Sequence, residues 1–338
     1  MGKANLAGSN RQPWRVWIFC FAPYIGCGLV LLVLGLPHVL PTYLHSMLTK
    51  VLIFAIFAMS LDIILGYTGL LSLGHAAFFG VAGYTAGILM VGYGIESFWL
   101  VMPLGILMAG IFAAIIGYIA LRVSGVYFLL VTLAFGQLLS VGAVKWRTMT
   151  GGTDGLVGIT YPLLGLPGFT WKASNFYYLV FISFVICFFL LYRITNSSFG
   201  RTLIGIRENE PRMQCLGYNT WAHKYVAFII AGLFAGVAGV LFGPFYGIMV
   251  PEHLGLPNSA MAMLMVIIGG AGTLFGPVIG AGLIIFLEYF ASIYSPERWP
   301  LILGCVFVIC VLFMRGGFGI YLSRFWRKVR LQYGSIES

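Results

Sequence analysis

The sequence carries very little charge. Lys, Arg, Asp and Glu make up 8% of its 338 residues, whereas hydrophobic residues make up 60%. A soluble domain has about 25% charged residues, so the composition excludes an ordinary soluble protein and indicates a polytopic membrane protein. A helix satisfies its own backbone hydrogen bonds, which lipid cannot do for it, so we expect an all-α fold.

Several patterns that would support catalysis or ligand binding are also missing. The six cysteines include no CxxC pair, so they indicate neither a disulfide framework nor a zinc site. His75 has no second His or Cys at metal-ligand spacing, and we predict no metal site. The sequence G-x-x-x-x-G-K-S/T, which cradles nucleotide phosphates, is absent, so we predict no cofactor bound by this chain itself. The clustered nucleophile motifs that an intramembrane enzyme needs are not apparent.

Apolar runs divide the chain into about ten predicted transmembrane helices, each near the ~20 residues that a bilayer requires. We expect residues 1–338 to form a single transmembrane domain. The third run opens with the glycine-rich motif Gly66–Gly80, so it either crosses the membrane fully or is partly re-entrant. The predicted spans are Trp17–Leu36, Met47–Leu65, Leu70–Val91, Phe98–Ile119, Val126–Val144, Phe176–Tyr192, Tyr225–Met249, Ser259–Gly272, Pro277–Tyr294 and Trp299–Phe313.

The net charge of +10 is distributed unevenly along the chain. With the N-terminus inside and ten spans, most Lys and Arg residues fall on the cytoplasmic side. These include the basic module, defined as Arg193–Lys224, and a basic tail at residues 315–338. Membrane proteins concentrate basic residues on that side, so we predict cytoplasmic N- and C-termini and no nucleic-acid binding.

The basic module is the longest polar interval in the interior of the chain. Pro211 suits the first turn of a helix, with Asn209 or Glu210 as its N-cap. Gly217 can stop such a helix. The pattern therefore predicts a short surface helix at Pro211–Leu216. The module is either a charged loop that only fixes topology or a docking surface for a cytoplasmic partner.

Four further motifs follow one another along the chain. They are LGYTGLLSLGHAAFFGVAGY (Leu65–Tyr84), TGGTDGL (Thr150–Leu156), IRENE (Ile206–Glu210) and GGAGTLFGPVIGA (Gly269–Ala281). Together, and in this order, they resemble the LivM-type permease subunits of branched-chain amino acid ABC importers. The resemblance covers almost the whole chain. One departure is Asp62, where such permeases more often have Asn.

The resemblance implies an ABC-importer permease fold in which residues 193–224 form a cytoplasmic coupling loop. It implies that the segment Arg201–Gly217 docks on an ATP-hydrolysing subunit, and that ATP and Mg are bound by two such subunits (LivG/LivF-like). A second homologous permease (LivH-like) and an extracytoplasmic substrate-binding protein would complete an importer in the bacterial cytoplasmic (inner) membrane. The coupling residues implied are Arg201, Arg207, Glu208, Asn209, Glu210 and Gly217.

Two features within the predicted spans are candidates for the substrate path. The small residues of the Gly66–Gly80 motif either allow close helix packing or form a broken helix that lines the path. Glu288 lies near the middle of the ninth span, where a charge costs about 2.5–3.5 kcal/mol, so it marks the path or is paired structurally. The candidate path residues are Ser72, Gly74, His75, Phe79 and Glu288.

Two further acids lie near predicted membrane edges. Asp62 lies towards the cytoplasmic end of the second span, where snorkelling or helix capping is the simplest explanation. Asp154 lies in the external TGGTDG motif. It forms an Asp-Gly turn or contacts the extracytoplasmic substrate-binding protein that the resemblance implies.

These features favour a non-catalytic permease subunit of a binding-protein-dependent ABC importer for branched-chain amino acids, working by alternating access. One alternative is a related ABC permease for urea or aromatic acids. The other is an ion-coupled secondary transporter, for which Asp62, His75 and Glu288 would have to supply the ion sites.

Overall fold

The computed structural model describes residues 42–163 and 173–294, together with Leu301, Gly304 and Cys305. Contacts within the chain separate two compact units, Met1–Ser46 and Met47–Ser338. The predicted first span and the basic tail lie outside the described residues, as do all but three residues of the predicted tenth span. The single domain over residues 1–338 stays a prediction.

The described residues are mostly helical. The α-helices are α1 (Thr42–Asp62), α2 (Ala76–Gly87), α3 (Phe98–Ala120), α4 (Val126–Lys145), α5 (Arg147–Thr150), α6 (Ala173–Asn196), α7 (Ser198–Glu208), α8 (Glu210–Cys215), α9 (Thr220–Tyr246), α10 (Leu256–Gly269) and α11 (Phe275–Tyr294). π-helical turns at Ile63–Tyr67 and Ile88–Gly92 extend α1 and α2, and 3₁₀ turns lie at Gly152–Asp154 and Pro251–Leu254. Two short strands, β1 (Leu156–Val157) and β2 (Ile248–Met249), pair antiparallel, with Leu156 opposite Met249.

Among the residues that the structure describes, six helical segments are long and apolar enough to cross a membrane. They are Tyr43–Tyr67, Phe98–Ala120, Val126–Lys145, Asn175–Asn196, Thr220–Tyr246 and Phe275–Ile293. The prediction of an all-α membrane fold is therefore confirmed. The count of about ten spans is not, because the predicted third and eighth spans are the shorter apolar helices Ala76–Gly92 and Leu256–Gly269.

The two shorter helices begin next to each other. The backbone amide of Ala76, the first residue of α2, donates to Ser259 Oγ of α10 at 2.9 Å. Leu254, just before α10, packs on Gly80 so closely that a Cβ at Gly80 would overlap its side chain. The segment before Ala76 is non-helical, so the Gly66–Gly80 motif interrupts the chain between α1 and α2. The motif thus interrupts the helix, and its contact at Gly80 also fits the close-packing interpretation; that the break lines the substrate path stays a prediction.

Small residues allow α9 to pack tightly at the centre of the described fold. A Cβ at Gly236 would lie 2.7 Å from the Ala109 Cβ of α3, and one at Gly239 would overlap the backbone of Phe79 in α2. In the apolar stretch of α9, 72% of the residues are buried, and in that of Tyr43–Tyr67 the share is 78%. In the apolar stretch of α4 only 22% are buried. Apolar side chains exposed on the outer helices fit contact with lipid.

Candidate functional site

The basic module contains two helices that are connected by one residue. α7 ends at Glu208 and α8 begins at Glu210. The side-chain oxygen of Asn209 accepts a hydrogen bond from the backbone amide of Arg212 at 3.0 Å, so Asn209 is the N-cap of α8. After α8, Gly217 has a φ of 86°, a left-handed conformation that ends helices. The predicted short helix is confirmed, one residue earlier at each end.

The two helices of the module lie at different depths. α7 buries one face, which includes Leu203 and Ile206. Every residue of α8 is exposed or half-exposed. A Cβ at Gly205 would lie 2.8 Å from the sulfur of Met213, so α8 rests directly on α7. All of α8 is therefore accessible to a partner, and α7 adds an exposed face that includes Arg201 and Glu208.

All the predicted coupling residues are exposed except Glu210, which is half-exposed, and some of them also form contacts within the module. Arg201, Glu208 and Gly217 are exposed. Asn209 caps α8, and Glu210 forms an ion pair with Lys224 near the start of α9. Both contacts hold α8 in place, which the sequence motif alone did not indicate. A contact of any of these residues with a partner stays a prediction.

Arg207 differs from the other predicted coupling residues because its side chain contacts segments outside the module, at the end of α1 and between α10 and α11. Its Nη1 donates to the backbone carbonyl of Gly66, at the end of the π-helical turn that follows α1. A Cβ at Gly272 would lie 3.0 Å from the same nitrogen. Arg207 thus touches both the Gly66–Gly80 motif and the connection between α10 and α11.

Asp62 is fully buried, so the snorkelling interpretation is wrong. Its Oδ1 accepts a hydrogen bond from the backbone amide of Gly272 at 2.7 Å. Residue 272 is 210 positions away in sequence, so Asp62 does not cap its own helix. Instead it fastens the α10–α11 connection to the end of α1. The sequence singled out Asp62 as an acid beside a glycine-rich motif, but it gave no sign that the Gly272 amide is its partner.

The candidate path residues of the Gly66–Gly80 motif lie inside the fold. Ser72, His75 and Phe79 are each at most 1% exposed. Ser60 Oγ donates to the carbonyl of Phe57 at 2.7 Å and lies 2.8 Å from His75 Nε2, so His75 must donate through Nε2.

The same motif also holds the two buried polar atoms that stand out in this region. Ser72 Oγ and His75 Nδ1 have no hydrogen-bond partner among the described residues. Gly74 is packed against the backbone of Thr132 in α4 and leaves no room for a side chain. A role of this motif in the substrate path stays a prediction.

Glu288 is paired with a lysine. Lys50 Nζ of α1 donates to both carboxylate oxygens of Glu288 in α11, each at 2.9 Å. The two side chains are 20% and 22% exposed. The structural-pairing interpretation of Glu288 is confirmed, and its place in the substrate path stays a prediction.

Asp154 lies on an exposed turn at the β1–β2 end of the fold. The 3₁₀ turn Gly152–Asp154 immediately precedes β1, and Thr153 Oγ1 donates weakly to Asp154 Oδ1 at 3.4 Å. A Cβ at Gly155 would lie 2.5 Å from the carbonyl oxygen of Met249, so the turn sits tightly against β2. The turn is confirmed, and its contact with a binding protein stays a prediction.

Metal binding has no support among the residues that the structure describes. Within residues 42–163 and 173–294, no three His, Cys, Asp or Glu side chains are placed to hold a metal ion. The polar groups of the site instead bind one another or the backbone. The arrangement can hold helices in position.

Comparison with known proteins places these features in a family. Residues 43–312 match the family described as the permease component of branched-chain amino acid transport systems. The chain is 29% identical over 311 residues to the high-affinity branched-chain amino acid transport system permease protein LivM of Escherichia coli K12, covering 86% of this chain and 73% of LivM.

Two other relatives are more distant. The chain is 23% identical over 275 residues to the permease protein LivH of Salmonella typhimurium, covering 77% of this chain and 88% of LivH. It is 24% identical over 172 residues to the autoinducer 2 import system permease protein LsrC of Shigella flexneri, covering 49% and 47% of the two chains. No solved structure matches. The predicted resemblance to LivM-type permeases is confirmed, and the chain belongs to the family of permease components of branched-chain amino acid transport systems.

Proposed function

We propose that this protein is the membrane-spanning permease subunit of a binding-protein-dependent ABC importer for branched-chain amino acids. The observation that carries this proposal is the similarity to LivM over 86% of the chain. The four motifs that suggested the family all lie at structured positions: the break before α2, the turn before β1, the α7–α8 junction and the α10–α11 connection. The subunit catalyses no covalent step.

The energy for transport would come from separate ATPase subunits, two per importer, which bind ATP and Mg. The sequence of this chain lacks the phosphate-cradling loop. The exposed helix α8 supports docking of such a subunit on the basic module, because α8 is fixed by the Asn209 cap and the Glu210–Lys224 ion pair. Arg201, Glu208 and Gly217 are then the exposed residues on which the ATPase subunit would rest.

Two other partners complete the importer. Similarity to both LivM and LivH supports a second, homologous permease beside this one. The exposed turn with Asp154 supports contact with an extracytoplasmic substrate-binding protein, since this turn lies at the end of the fold away from the basic module.

The substrate would pass between the two permeases by alternating access. The paired interruptions before α2 and α10 support movement there, because discontinuous helices are common at transporter binding sites. Ser72, His75 and Glu288 would line that path in another conformation of the transporter. The membrane would be the bacterial cytoplasmic membrane, with both termini and the basic module on the cytoplasmic side.

Uptake of labelled leucine tests the proposal. Cells that lack this gene and redundant leucine carriers would receive wild-type protein, the variant Glu208→Ala, or the control Glu252→Ala. Glu208 is exposed at the α7–α8 junction, whereas Glu252 is exposed in the 3₁₀ turn before α10, at the opposite end of the fold.

We expect wild type and Glu252→Ala to restore ATP-dependent uptake and Glu208→Ala to restore less. Equal uptake by all three would remove Glu208 from the coupling surface. No uptake with well-expressed wild-type protein and its partners would refute branched-chain amino acids as the cargo.

A further inference from the structure

Two segments that are far apart in sequence meet at one point beside the basic module. Asp62 ends α1, Gly66 lies in the π-helical turn that follows, and Gly272 lies in the connection between α10 and α11. The Gly272 amide donates to Asp62 Oδ1 at 2.7 Å. A Cβ at Gly66 would overlap both Asp62 Oδ1 and the Gly272 nitrogen, so this contact requires glycine at position 66.

Arg207 joins this contact from the module side. Its guanidinium donates to the Gly66 carbonyl. A Cβ at Gly272 would lie 3.0 Å from Nη1, and a Cβ at Gly69 would lie 3.0 Å from Cγ. The stem of the Arg207 side chain therefore lies on Gly69, and its head lies beside Gly272.

The helix that carries Arg207 is the inner helix of the module. Leu203 and Ile206 of α7 are buried, and α8 rests on α7 through Met213 and Gly205. α8 is capped by Asn209 and held to α9 by the Glu210–Lys224 ion pair, so the module is a connected set of helices. Arg207 lies in the last turn of α7.

We propose that Arg207 is a positioning residue that transmits movement of the basic module to the α1–α2 and α10–α11 connections, through the Gly66 carbonyl and the Asp62–Gly272 contact. The inference rests on the proposed function, since it assumes that an ATPase subunit moves the module. It goes beyond docking, because Arg207 acts on the side of the module that faces the other helices. The loops before α2 and before α11 then shift together, since Arg207 contacts both.

Arginine suits this position for physical reasons. Its planar guanidinium keeps its charge and offers several donors in a fixed geometry, so one side chain can bond the Gly66 carbonyl while its head lies beside Gly272. Lysine keeps the charge but has a single ammonium group. Glutamine removes the charge and is too short to reach Gly66 from α7.

The test uses the complete importer reconstituted in proteoliposomes, with both permeases, the ATPase subunits and the binding protein. Leucine uptake and ATP hydrolysis are measured together for wild type, Arg207→Gln and Arg207→Lys. The matched control is Arg122→Gln, because Arg122 is an exposed arginine just after α3, outside the basic module, that stacks on Tyr118. Co-purification of the ATPase subunits reports assembly.

We expect Arg207→Gln to assemble and to hydrolyse ATP within about twofold of wild type, while leucine moved per ATP falls about tenfold, as loss of a charged hydrogen bond allows. Leucine moved per ATP by Arg207→Lys should lie between the values for wild type and Arg207→Gln. The value for Arg122→Gln should match that of wild type. A variant that folds poorly lowers hydrolysis and uptake together, so their ratio separates transmission from stability.

Unchanged leucine per ATP in Arg207→Gln, or in Arg207→Lys if the first variant does not fold, would overturn the inference. Joint loss of assembly and hydrolysis by a folded Arg207→Lys would also overturn it and make Arg207 a docking residue. A wild-type importer without ATP-dependent leucine uptake would refute the proposed function itself, which is a different result from an unchanged variant in an active importer.

Discussion

Replacement of Glu288 by Gln should destabilise the protein by about 2–3 kcal/mol, because it leaves the Lys50 ammonium without its counter-charge among apolar helices. The magnitude follows from the geometry. Lys50 Nζ donates to both carboxylate oxygens at 2.9 Å, and the side chains are 20% and 22% exposed. Loss of one partner of a fully buried pair costs about 3–5 kcal/mol, so partial exposure places this pair at the lower end.

A double-mutant cycle isolates the pair. Lys50→Glu and Glu288→Lys should each destabilise the protein, since each places two like charges side by side. The double variant should recover most of the loss, so the two single effects should be far from additive. The control Lys145→Met removes an exposed lysine at the end of α4 and should cost less than about 1 kcal/mol.

Equilibrium unfolding of the purified protein in mixed micelles, followed by circular dichroism, measures these differences. Additive effects of the two single variants would refute the reasoning, because they would show that the charges do not stabilise each other. Single variants as stable as wild type would refute it as well.

Three further predictions concern the N-cap of α8, a glycine where α9 packs closely on α2, and a buried histidine. Asn209→Ala should cost about 1 kcal/mol and raise hydrogen exchange at α8 amides, because the Arg212 amide loses its acceptor. Gly239→Ala should lower unfolding stability by about 1–3 kcal/mol, because the new Cβ overlaps the α2 backbone; Gly142→Ala, with open space around it, should be neutral or stabilising in the same assay. Burial lowers the pKa of His253 from 6.5 to about 4, so the folded protein binds this proton less readily than the unfolded chain. Unfolding midpoints should therefore show a stability contribution that is complete above pH 6.5 and lost as pH falls towards 4, and His253→Gln should reduce this dependence.

Local pattern predicted the basic module well. Helix termini depend on residues within a few positions, and the Asn209 cap, the helical start near Pro211 and the stop at Gly217 all follow from such short-range chemistry. The long spans were also predicted, because a run of about 20 apolar residues has few other stable arrangements in lipid.

The number of spans was harder to predict for a physical reason. Hydropathy does not register a backbone break when the residues around it are apolar. The Gly66–Gly80 motif is mostly apolar, yet α2 begins only at Ala76, where Ser259 of α10 accepts its first amide. A partner 183 residues away in sequence is invisible to a sliding window.

The sequence by itself determined that the protein lies in a membrane, where most of its helices are, and to which family it belongs. Tertiary structure alone decided what its few charges do: Glu288 pairs with Lys50, Asp62 with the Gly272 amide, and Arg207 with the Gly66 carbonyl. These contacts join residues 238, 210 and 141 positions apart. Composition and periodicity describe neighbours along the chain, whereas a charge in an apolar protein is placed by whichever distant group can satisfy it.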